Sequence, residues 1–194
     1  MGYHESLTEG RNAVLEAFRS GKTVDRLFVL DGCQDGPVKT ILREAKKQDT
    51  MVQYVKKERL DQLSETKNHQ GVIAYCAACE YAEVSDILEN AKKKGEAPFI
   101  VLLDGIEDPH NLGAIIRTAN QAGAHGVIIP KRRAVGLTAT VARTSAGAVN
   151  YTPVAKVTNL VTVMEDLKKE GMWFVCADMD GEEMYSLNLK GPIG

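Results

Sequence analysis

The stretch from Phe99 to Pro130, FIVLLDGIEDPHNLGAIIRTANQAGAHGVIIP, decides the fold class of this chain. It begins with a nearly continuous apolar run, which is typical of a central strand in a parallel sheet. A polar turn at 107–111 follows, and apolar residues then recur at helical spacing in LGAIIRTANQAG. Because GVIIP forms a second buried run, the whole stretch predicts a β-α-β unit.

The same alternation of helices and strands surrounds this unit in the second half of the chain. The predicted elements are helices over 84–95, 137–147 and 158–170, a strand or extended segment over 150–157 and a strand over 172–181. Ser85 and Thr158 are the predicted N-caps of two helices, and Gly171 is predicted to end the last one. This pattern predicts a doubly wound α/β domain around a parallel sheet.

The first 80 residues also follow a β-α-β-α-β rhythm. The predicted elements are helices over 10–20, 38–48 and 57–65 and strands over 26–32, 51–55 and 71–78. The expected buried face of the first helix consists of Ala13, Val14, Ala17 and Phe18. The rhythm predicts a small three-layer α/β domain. We expect this domain to cover residues 1–78, a linker to cover 79–84 and the second domain to cover 85–194.

The composition is that of an ordinary globular protein. The chain has 194 residues, 44% of them hydrophobic and 26% charged, and a formal net charge of −2. This charge argues against an extended nucleic-acid-binding coat but leaves room for a local basic patch. No apolar run reaches the ~20 residues that cross a bilayer. Since the N-terminus has no signal-peptide pattern, a cytoplasmic location is predicted.

Two cysteines, Cys76 and Cys79, form the spacing C-A-A-C. The sequence contains no second C-x-x-C, and no histidine follows at zinc-finger spacing. The pair ends a predicted strand and does not begin a helix, where a thiolate would be stabilised. We therefore predict structural cysteines and no metal site.

The usual cofactor and catalytic signatures are missing from the sequence. It has no G-x-G-x-x-G, no G-x-x-x-x-G-K-[ST], no G-x-S-x-G and no H-E-x-x-H. A nicotinamide site, a phosphate-binding P-loop, an α/β-hydrolase nucleophile and a zinc protease are therefore unsupported. Any ligand site must be sought at the carboxyl ends of the predicted strands.

Three predicted loops lie at those strand ends, at 104–111, 130–133 and 177–181. One rim of the second domain is therefore expected to carry Asn111, Lys131, Arg132, Arg133 and Asp178. Asn111 can simply cap the helix that begins after it, a role worth ~1 kcal/mol, and Arg117 can be a solvated surface residue. Alternatively, Arg117, Arg143 and the basic triplet form a phosphate-binding rim, because guanidinium groups match phosphate oxygens in two-point geometry. An RNA backbone is the natural partner of such a rim.

Six motifs carry a resemblance to a known family. They are GRNAV at 10–14, NHQGV at 68–72, LDGIEDPHNLG at 103–113, NLGAIIRTA at 111–119, GAHGVIIPKRRAVGL at 123–137 and ARTSAGA at 142–148. The last four resemble SPOUT-class RNA 2′-O-ribose methyltransferases of the SpoU/TrmH branch, in particular the bacterial enzymes that methylate a guanosine in 23S ribosomal RNA. The first two resemble the ribosomal-protein-like RNA-binding domain of these enzymes.

The resemblance implies S-adenosylmethionine as cofactor, 23S ribosomal RNA as partner, and a homodimer. It implies catalytic roles for Arg117 and for Asn111, which would position either the ribose or the arginine. Because a guanidinium stays protonated and is a poor base, we expect Arg117 to bind an RNA phosphate. The expected RNA-binding residues are Arg11, Asn12, His69, Gln70, Lys131, Arg132, Arg133 and Arg143. Ala177 and Asp178 are the expected cofactor contacts.

The sequence departs from the family pattern at its end. In the family a strand, a glycine-rich loop and a final helix follow and form a trefoil knot, whereas the sequence stops at Gly194. We therefore expect a SPOUT-type domain that is incomplete before the knot, with weak or no S-adenosylmethionine binding and no methyltransferase activity in this chain. A non-catalytic RNA-binding module is the alternative function. An unrelated nucleotide-binding α/β protein is a further one.

Overall fold

The computed structural model describes residues 6–194, which divide into two compact units. The first unit contains the described residues up to Glu80 and the short segment Gly136–Ala139. The second unit contains Tyr81–Val135 and Thr140–Gly194.

The first unit is built on a four-stranded sheet in the order β1-β4-β2-β3. Its strands are β1 (Ser6–Glu9), β2 (Val24–Leu30), β3 (Met51–Val55) and β4 (Val72–Cys76). β2 and β3 are parallel, and β4 is antiparallel to both β1 and β2. Its helices are α1 (Arg11–Arg19), α2 (Gly36–Lys47) and α3 (Lys57–Leu63).

Helices cover both faces of this sheet, since successive strand residues point to opposite sides. α1 and α2 bury Val14 and Ile41 against Leu27, whereas α3 buries Leu60 against Phe28. The predicted three-layer arrangement is therefore present. One residue of the predicted buried face was wrong, because Ala13 is exposed. β1 was not predicted at all.

The second unit contains a three-stranded sheet in the order β5-β6-β7, in which all strands are parallel. Its strands are β5 (Ile100–Leu102), β6 (Gly126–Pro130) and β7 (Val154–Val157). The helices are α4 (Val84–Lys94), α5 (Pro109–Gln121), α6 (Ala139–Thr144) and α7 (Leu160–Lys169). Ile87, Ile100, Ile128 and Leu167 form the centre of its core. The prediction of an α/β domain with a parallel sheet is confirmed.

The predicted buried strand over 172–181 was wrong. Only Trp173 takes part in a β-bridge, with Ile193, and Val175 N donates to the carbonyl of Gly194 at 2.9 Å. The apolar letters of this run favour burial, but a strand also needs a continuous hydrogen-bonding partner. Residues 192–194 also pair with β5, since Ile100 N donates to the carbonyl of Ile193 at 3.0 Å. They therefore lie between β5 and the Trp173 segment.

Two predicted helix caps were displaced by neighbouring side chains. α4 begins after Glu83, whose side chain forms a capping box with Asp86, so Ser85 is not the cap. α7 begins after Asn159, which accepts from two backbone N–H groups, so Thr158 is not the cap. The predicted end of α7 is confirmed, because Gly171 follows the C-cap with φ +91°.

Among the described residues, no helix has the length and apolar character of a membrane span. Cys33, Cys76, Cys79 and Cys176 are not joined by disulfide bonds. Cys76 is buried in β4, and burial raises the pKa of the Cys79 thiol. In residues 6–194, no group of three or more His, Cys, Asp or Glu side chains is arranged to hold a metal ion.

Candidate RNA-binding and catalytic site

The first turn of α5 is capped by Asp108. Its carboxylate accepts a hydrogen bond from Asn111 N at 2.8 Å, and Pro109 occupies the first helical position. The capping interpretation of Asn111 was therefore wrong, because Asn111 lies inside the helix. Its side chain is exposed and, among the described residues, makes no hydrogen bond. The carboxamide is thus free to meet a ligand.

Backbone contacts hold the loops after β5 and β6 together. Val135 N donates to the carbonyl of Ile106 at 2.9 Å, and Lys131 N donates to the carbonyl of Val157 in β7 at 2.8 Å. The loop after β6 is therefore fixed on both sides at the carboxyl edge of the sheet. This is the edge at which open parallel sheets bind ligands.

Gly113 lets α6 approach the start of α5. A Cβ atom at Gly113 would overlap the side chain of Thr144 and would lie 3.0 Å from Ser145 N. The Thr144 hydroxyl also lies 3.3 Å from the Pro109 carbonyl, to which it can donate. The residue before it, Arg143, is thereby placed near the first turn of α5. Sequence reasoning missed this glycine, although an isolated glycine in a helical pattern is a signal of close packing.

We call Arg117, Arg143, Lys131, Arg132 and Arg133 the basic rim. The guanidinium groups of Arg117, Arg132 and Arg133 are exposed and make no hydrogen bond or ion pair within residues 6–194. Arg143 donates to the hydroxyl of Thr140 at 3.2 Å. Arg133 adopts φ +54°, a left-handed conformation that costs a non-glycine residue about 1–3 kcal/mol.

Asn111 and Arg117 do not form a single tight cluster. Arg117 lies six residues after Asn111, which in an α-helix corresponds to about 9 Å along the axis and roughly one third of a turn. No contact among the described residues joins the two side chains. They are two exposed groups on one helix, able to contact different parts of one large ligand.

The predicted cofactor contacts do not form a pocket. Ala177 and Asp178 are both exposed and belong to no helix or strand. The Asp178 carboxylate accepts from the neighbouring Met179 N at 2.6 Å. Enclosure of most of the ligand surface is typical of small-molecule sites, and these two residues do not provide it. As arranged, they do not fit S-adenosylmethionine.

In the first unit, Arg11 and Gln70 are joined by hydrogen bonds. Arg11 forms an ion pair with Asp35 at 2.5 Å, and its Nε donates to the Gln70 carbonyl at 3.1 Å. The side-chain oxygen of Gln70 accepts from Arg11 N at 3.2 Å, so it satisfies a backbone N–H at the start of α1. Asn12 is exposed, and its side chain makes no hydrogen bond among the described residues.

His69 occupies a position that differs from its predicted one. Its ring is buried, with 7% of the residue exposed. Nε2 lies 3.0 Å from the Asp61 carboxylate, and Nδ1 accepts from Gly71 N at 3.0 Å. Because Nδ1 is an acceptor, the ring hydrogen of neutral His69 lies on Nε2. The interior position does not suit direct RNA contact, and His69 instead fixes the backbone around Gln70.

Glu9 organises the loop between α3 and β4, a role that sequence reasoning missed. Its carboxylate accepts from the hydroxyls of Ser64 and Thr66 at 2.5 and 2.8 Å. It also accepts from Glu65 N at 2.6 Å and Thr66 N at 3.3 Å. Partial burial raises the pKa of Glu9, but these hydrogen bonds outweigh it and hold the pKa below its ordinary value.

A cleft of about 580 Å³ opens between β1, the start of α1 and the loop at 65–70. We call it the amide cleft. The described residues that line it are Leu7, Glu9, Gly10, Asn12, Ala13, Glu65, Thr66, Asn68 and Gln70. Two of the predicted RNA-binding residues, Asn12 and Gln70, are among them.

Comparison with known proteins identifies the family. Residues 98–194 match the model of the SpoU rRNA Methylase family, and residues 7–82 match the model described as RNA 2′-O ribose methyltransferase substrate binding. A Bacillus subtilis protein named as a TrmH family tRNA/rRNA methyltransferase, YacO, is 48% identical over 182 residues, which is 94% of this chain and 72% of that protein. The chain belongs to the SpoU/TrmH family of RNA methyltransferases. The family resemblance of the motifs is thereby confirmed.

One further relative and two solved structures are also similar to this chain. A Staphylococcus haemolyticus protein of the same description is 45% identical and covers 91% of this chain and 70% of its own length. An rRNA methyltransferase from Sinorhizobium meliloti has a similar fold, with a TM-score of 0.51, 24% identity and coverage of 98% of this chain and 70% of that chain. The SpoU methyltransferase AviRb from Streptomyces viridochromogenes, solved in complex with AdoMet, gives a TM-score of 0.52 at 22% identity, covering 97% of this chain and 70% of that chain.

Proposed function

We propose that this RNA methyltransferase modifies the 2′-hydroxyl of a ribose, that of a guanosine in 23S ribosomal RNA, in the cytoplasm. The description of the substrate-binding model supports the ribose position. The complex of AviRb with AdoMet supports S-adenosylmethionine as the methyl donor. The observation that carries the proposal is the set of exposed guanidinium groups, without partners among the described residues, on α5 and in the loop after the carboxyl end of β6.

S-adenosylmethionine would supply the methyl group, and the residues of the chain would prepare the acceptor. The Arg117 guanidinium binds the phosphate next to the target ribose in two-point geometry. As the 2′-oxygen bonds to the methyl group, a phosphate oxygen accepts the proton that the 2′-hydroxyl loses, and the guanidinium stabilises the negative charge that develops on the 2′-oxygen. The free carboxamide of Asn111 orients the ribose, and this positioning lowers the barrier further.

The remaining basic groups of the rim bind the RNA backbone on either side of the target. Arg132 and Arg133 have guanidinium groups without a partner in the described part of the chain, and Arg143 lies near the start of α5. Residues 1–78 act as the RNA substrate-binding domain, 79–84 as a linker and 85–194 as the methyltransferase domain. A homodimer is proposed for the working enzyme on the basis of the family resemblance.

Replacement of Arg117 tests the proposal. Methyl transfer from radiolabelled S-adenosylmethionine to 23S transcripts is measured for the unmodified protein and for its variants. Arg117→Ala is expected to reduce transfer by about 100-fold or more, the size of one lost preorganised charge contact. Arg19→Ala, a change of an exposed arginine on α1, is the control. Near-normal transfer by Arg117→Ala contradicts the proposed role.

The alternative function is RNA binding without catalysis. It is favoured by one observation, the exposure of Ala177 and Asp178. On this alternative the 194-residue chain binds structured RNA with steep salt dependence but transfers no methyl group and gives no heat with S-adenosylmethionine in titration calorimetry. That this chain is inactive stays a prediction, and cofactor binding at micromolar concentrations would contradict it.

A further inference from the structure

We propose that the amide cleft binds an unpaired nucleobase of the RNA. The inference rests on the proposed function, in which the chain binds RNA, and adds which chemical part of the RNA this surface contacts. It depends on four properties of the cleft: its hydrogen-bonding groups, its charge, its apolar wall and its rigidity.

The hydrogen-bonding groups of the cleft match the edge of a base. Asn12, Asn68 and Gln70 each bring a carboxamide, which offers both donors and an acceptor. Within residues 6–194, the side chains of Asn12 and Asn68 make no hydrogen bond, and Gln70 uses its oxygen for Arg11 N. Nucleobase edges carry the same mixture of donors and acceptors, and they are accessible where RNA is unpaired.

The charge of the cleft disfavours a phosphate. Glu9 and Glu65 are the charged residues among the described lining, which contains no lysine or arginine. The neighbouring Arg11 is already paired with Asp35 at 2.5 Å. A phosphate placed here would meet like charges without a countercharge, whereas a neutral base would not.

The apolar wall and the size of the cleft suit one face of a base. Leu7 and Ala13 line it together with the amides. Its volume of about 580 Å³ falls in the range of small-molecule sites, roughly 300–1,000 Å³. A base can therefore pack one face on Leu7 and Ala13 while its edge meets the carboxamides.

The amides are attached to backbone that is already fixed. Glu9 holds the loop at 64–66 with four hydrogen bonds. The His69 ring accepts a hydrogen bond from Gly71 N and hydrogen-bonds the Asp61 carboxylate. These two contacts fix the backbone on both sides of Gln70. Binding then orders few additional groups, and preorganisation of this kind increases affinity.

Two changes test the cleft without disturbing the fold. Ala13→Leu fills the cleft at an exposed helical position, where leucine is a good helix former. Asn12→Ala removes one carboxamide. Gln34→Ala is the matched control, because Gln34 is an exposed amide of the same unit that does not line the cleft. The probes are a set of RNA hairpins and a blunt RNA duplex. The hairpins share one stem, and the loop of each hairpin contains only one kind of base. The duplex has the same number of phosphates as the hairpins.

For the 194-residue chain, we expect each cleft variant to bind the hairpins about tenfold more weakly, the size of one lost base contact. Duplex affinity should not change, and Gln34→Ala should behave as the unmodified chain. Hairpin binding that is unaffected, or that falls equally with duplex binding, overturns the inference and leaves the proposed function intact. An unmodified chain that binds neither RNA contradicts the proposed function itself.

Discussion

The amide cleft and the basic rim treat charge in opposite ways. In the first unit, Glu9 is bound by hydroxyl and backbone donors and Arg11 is paired with Asp35. In the second unit, Arg117, Arg132 and Arg133 are left without a partner among the described residues. Glu9 and Arg11 thus have internal partners in the first unit, whereas these three guanidinium groups of the second unit have none among the described residues.

This difference separates two tasks in RNA recognition. Contacts to phosphates supply affinity and position but carry no sequence information, whereas contacts to bases supply specificity. Free guanidinium groups are suited to the first task, and free carboxamides beside internally satisfied charges are suited to the second. We infer that the second unit supplies most of the salt-dependent affinity and the first supplies the discrimination.

Gly113→Ala should break the scaffold of the basic rim and have the largest effect on stability. The new methyl group would overlap Thr144 and crowd the backbone of Ser145. Overpacking of this kind costs about 1–3 kcal/mol, more than the gain in helix propensity. The midpoint of urea unfolding of the second unit should fall, and RNA affinity should fall with it.

Gly36→Ala is the matched control for this change. Gly36 is also helical, but a Cβ there meets nothing within 4 Å. Alanine should be neutral or stabilising at this position. If Gly113→Ala unfolds at the same urea concentration as the unmodified chain, the close approach of α5 and α6 is not required.

Glu9→Gln should loosen the scaffold of the amide cleft. A glutamine carboxamide has one acceptor oxygen, so its nitrogen cannot accept the hydroxyl or backbone donors that the second oxygen of Glu9 accepts. A hydrogen bond to a charged group is worth ~1.5–3 kcal/mol. We expect the amide protons of Glu65 and Thr66 to exchange about tenfold faster, a difference of ~1.4 kcal/mol. Hydrogen exchange by NMR measures this, with Glu58→Gln as an exposed control. Unchanged exchange contradicts the role of Glu9.

The same contact predicts a dependence on pH. The pKa of Glu9 lies below its ordinary value of 4.5 in the folded chain. A carboxyl group with a lowered pKa stabilises the fold above its unfolded pKa and loses this contribution as pH falls through the folded value. Protection of Glu65 and Thr66 should therefore hold from neutral pH to about 4.5 and decline below it. In the Glu9→Gln variant, the protection of these two amide protons should no longer decline at acidic pH.

Arg133→Asn should have the smallest effect and should sharpen the role of the rim. Asparagine tolerates the left-handed conformation that Arg133 adopts better than arginine does, so stability should stay the same or rise slightly. Loss of one phosphate contact should reduce the slope of log affinity against log salt by about 0.7–0.9. Arg133→Val removes the same charge but adds strain, so it should lower both slope and stability. An unchanged slope in both variants would exclude a phosphate contact.

Elements with apolar runs bounded by polar residues could be predicted from the sequence. β3 and β6 have the predicted bounds of 51–55 and 126–130. β1 could not be found, because SLTE has little apolar character and is held by backbone pairing with β4. The segment at 172–181 was predicted as a strand from its apolar residues, but it has no continuous partner strand and does not form one.

Only the residues of the candidate site that lie at predicted strand ends or in recognisable motifs could be predicted from the sequence. These signals placed Asn111 and the basic triplet at the carboxyl edge of the sheet. The cap of α5 was available too, since an aspartate before a proline is typical of a helix start. Glu9 was out of reach, because its role depends on Ser64, which lies far along the chain. Gly113 carried a signal of close packing, but the sequence did not show that its partner is Thr144.

The pairing of β5 with residues 192–194 has a consequence for the order of folding. One edge of β5 pairs with β6, which follows within about thirty residues. The other edge of β5 pairs with Ile193, which lies more than ninety residues further along the chain. Loop closure over such a distance is slow compared with local pairing. During synthesis, this edge of β5 therefore presents open backbone donors and acceptors, which invite pairing with another chain. The nascent chain is accordingly more exposed to strand exchange and aggregation than the folded protein.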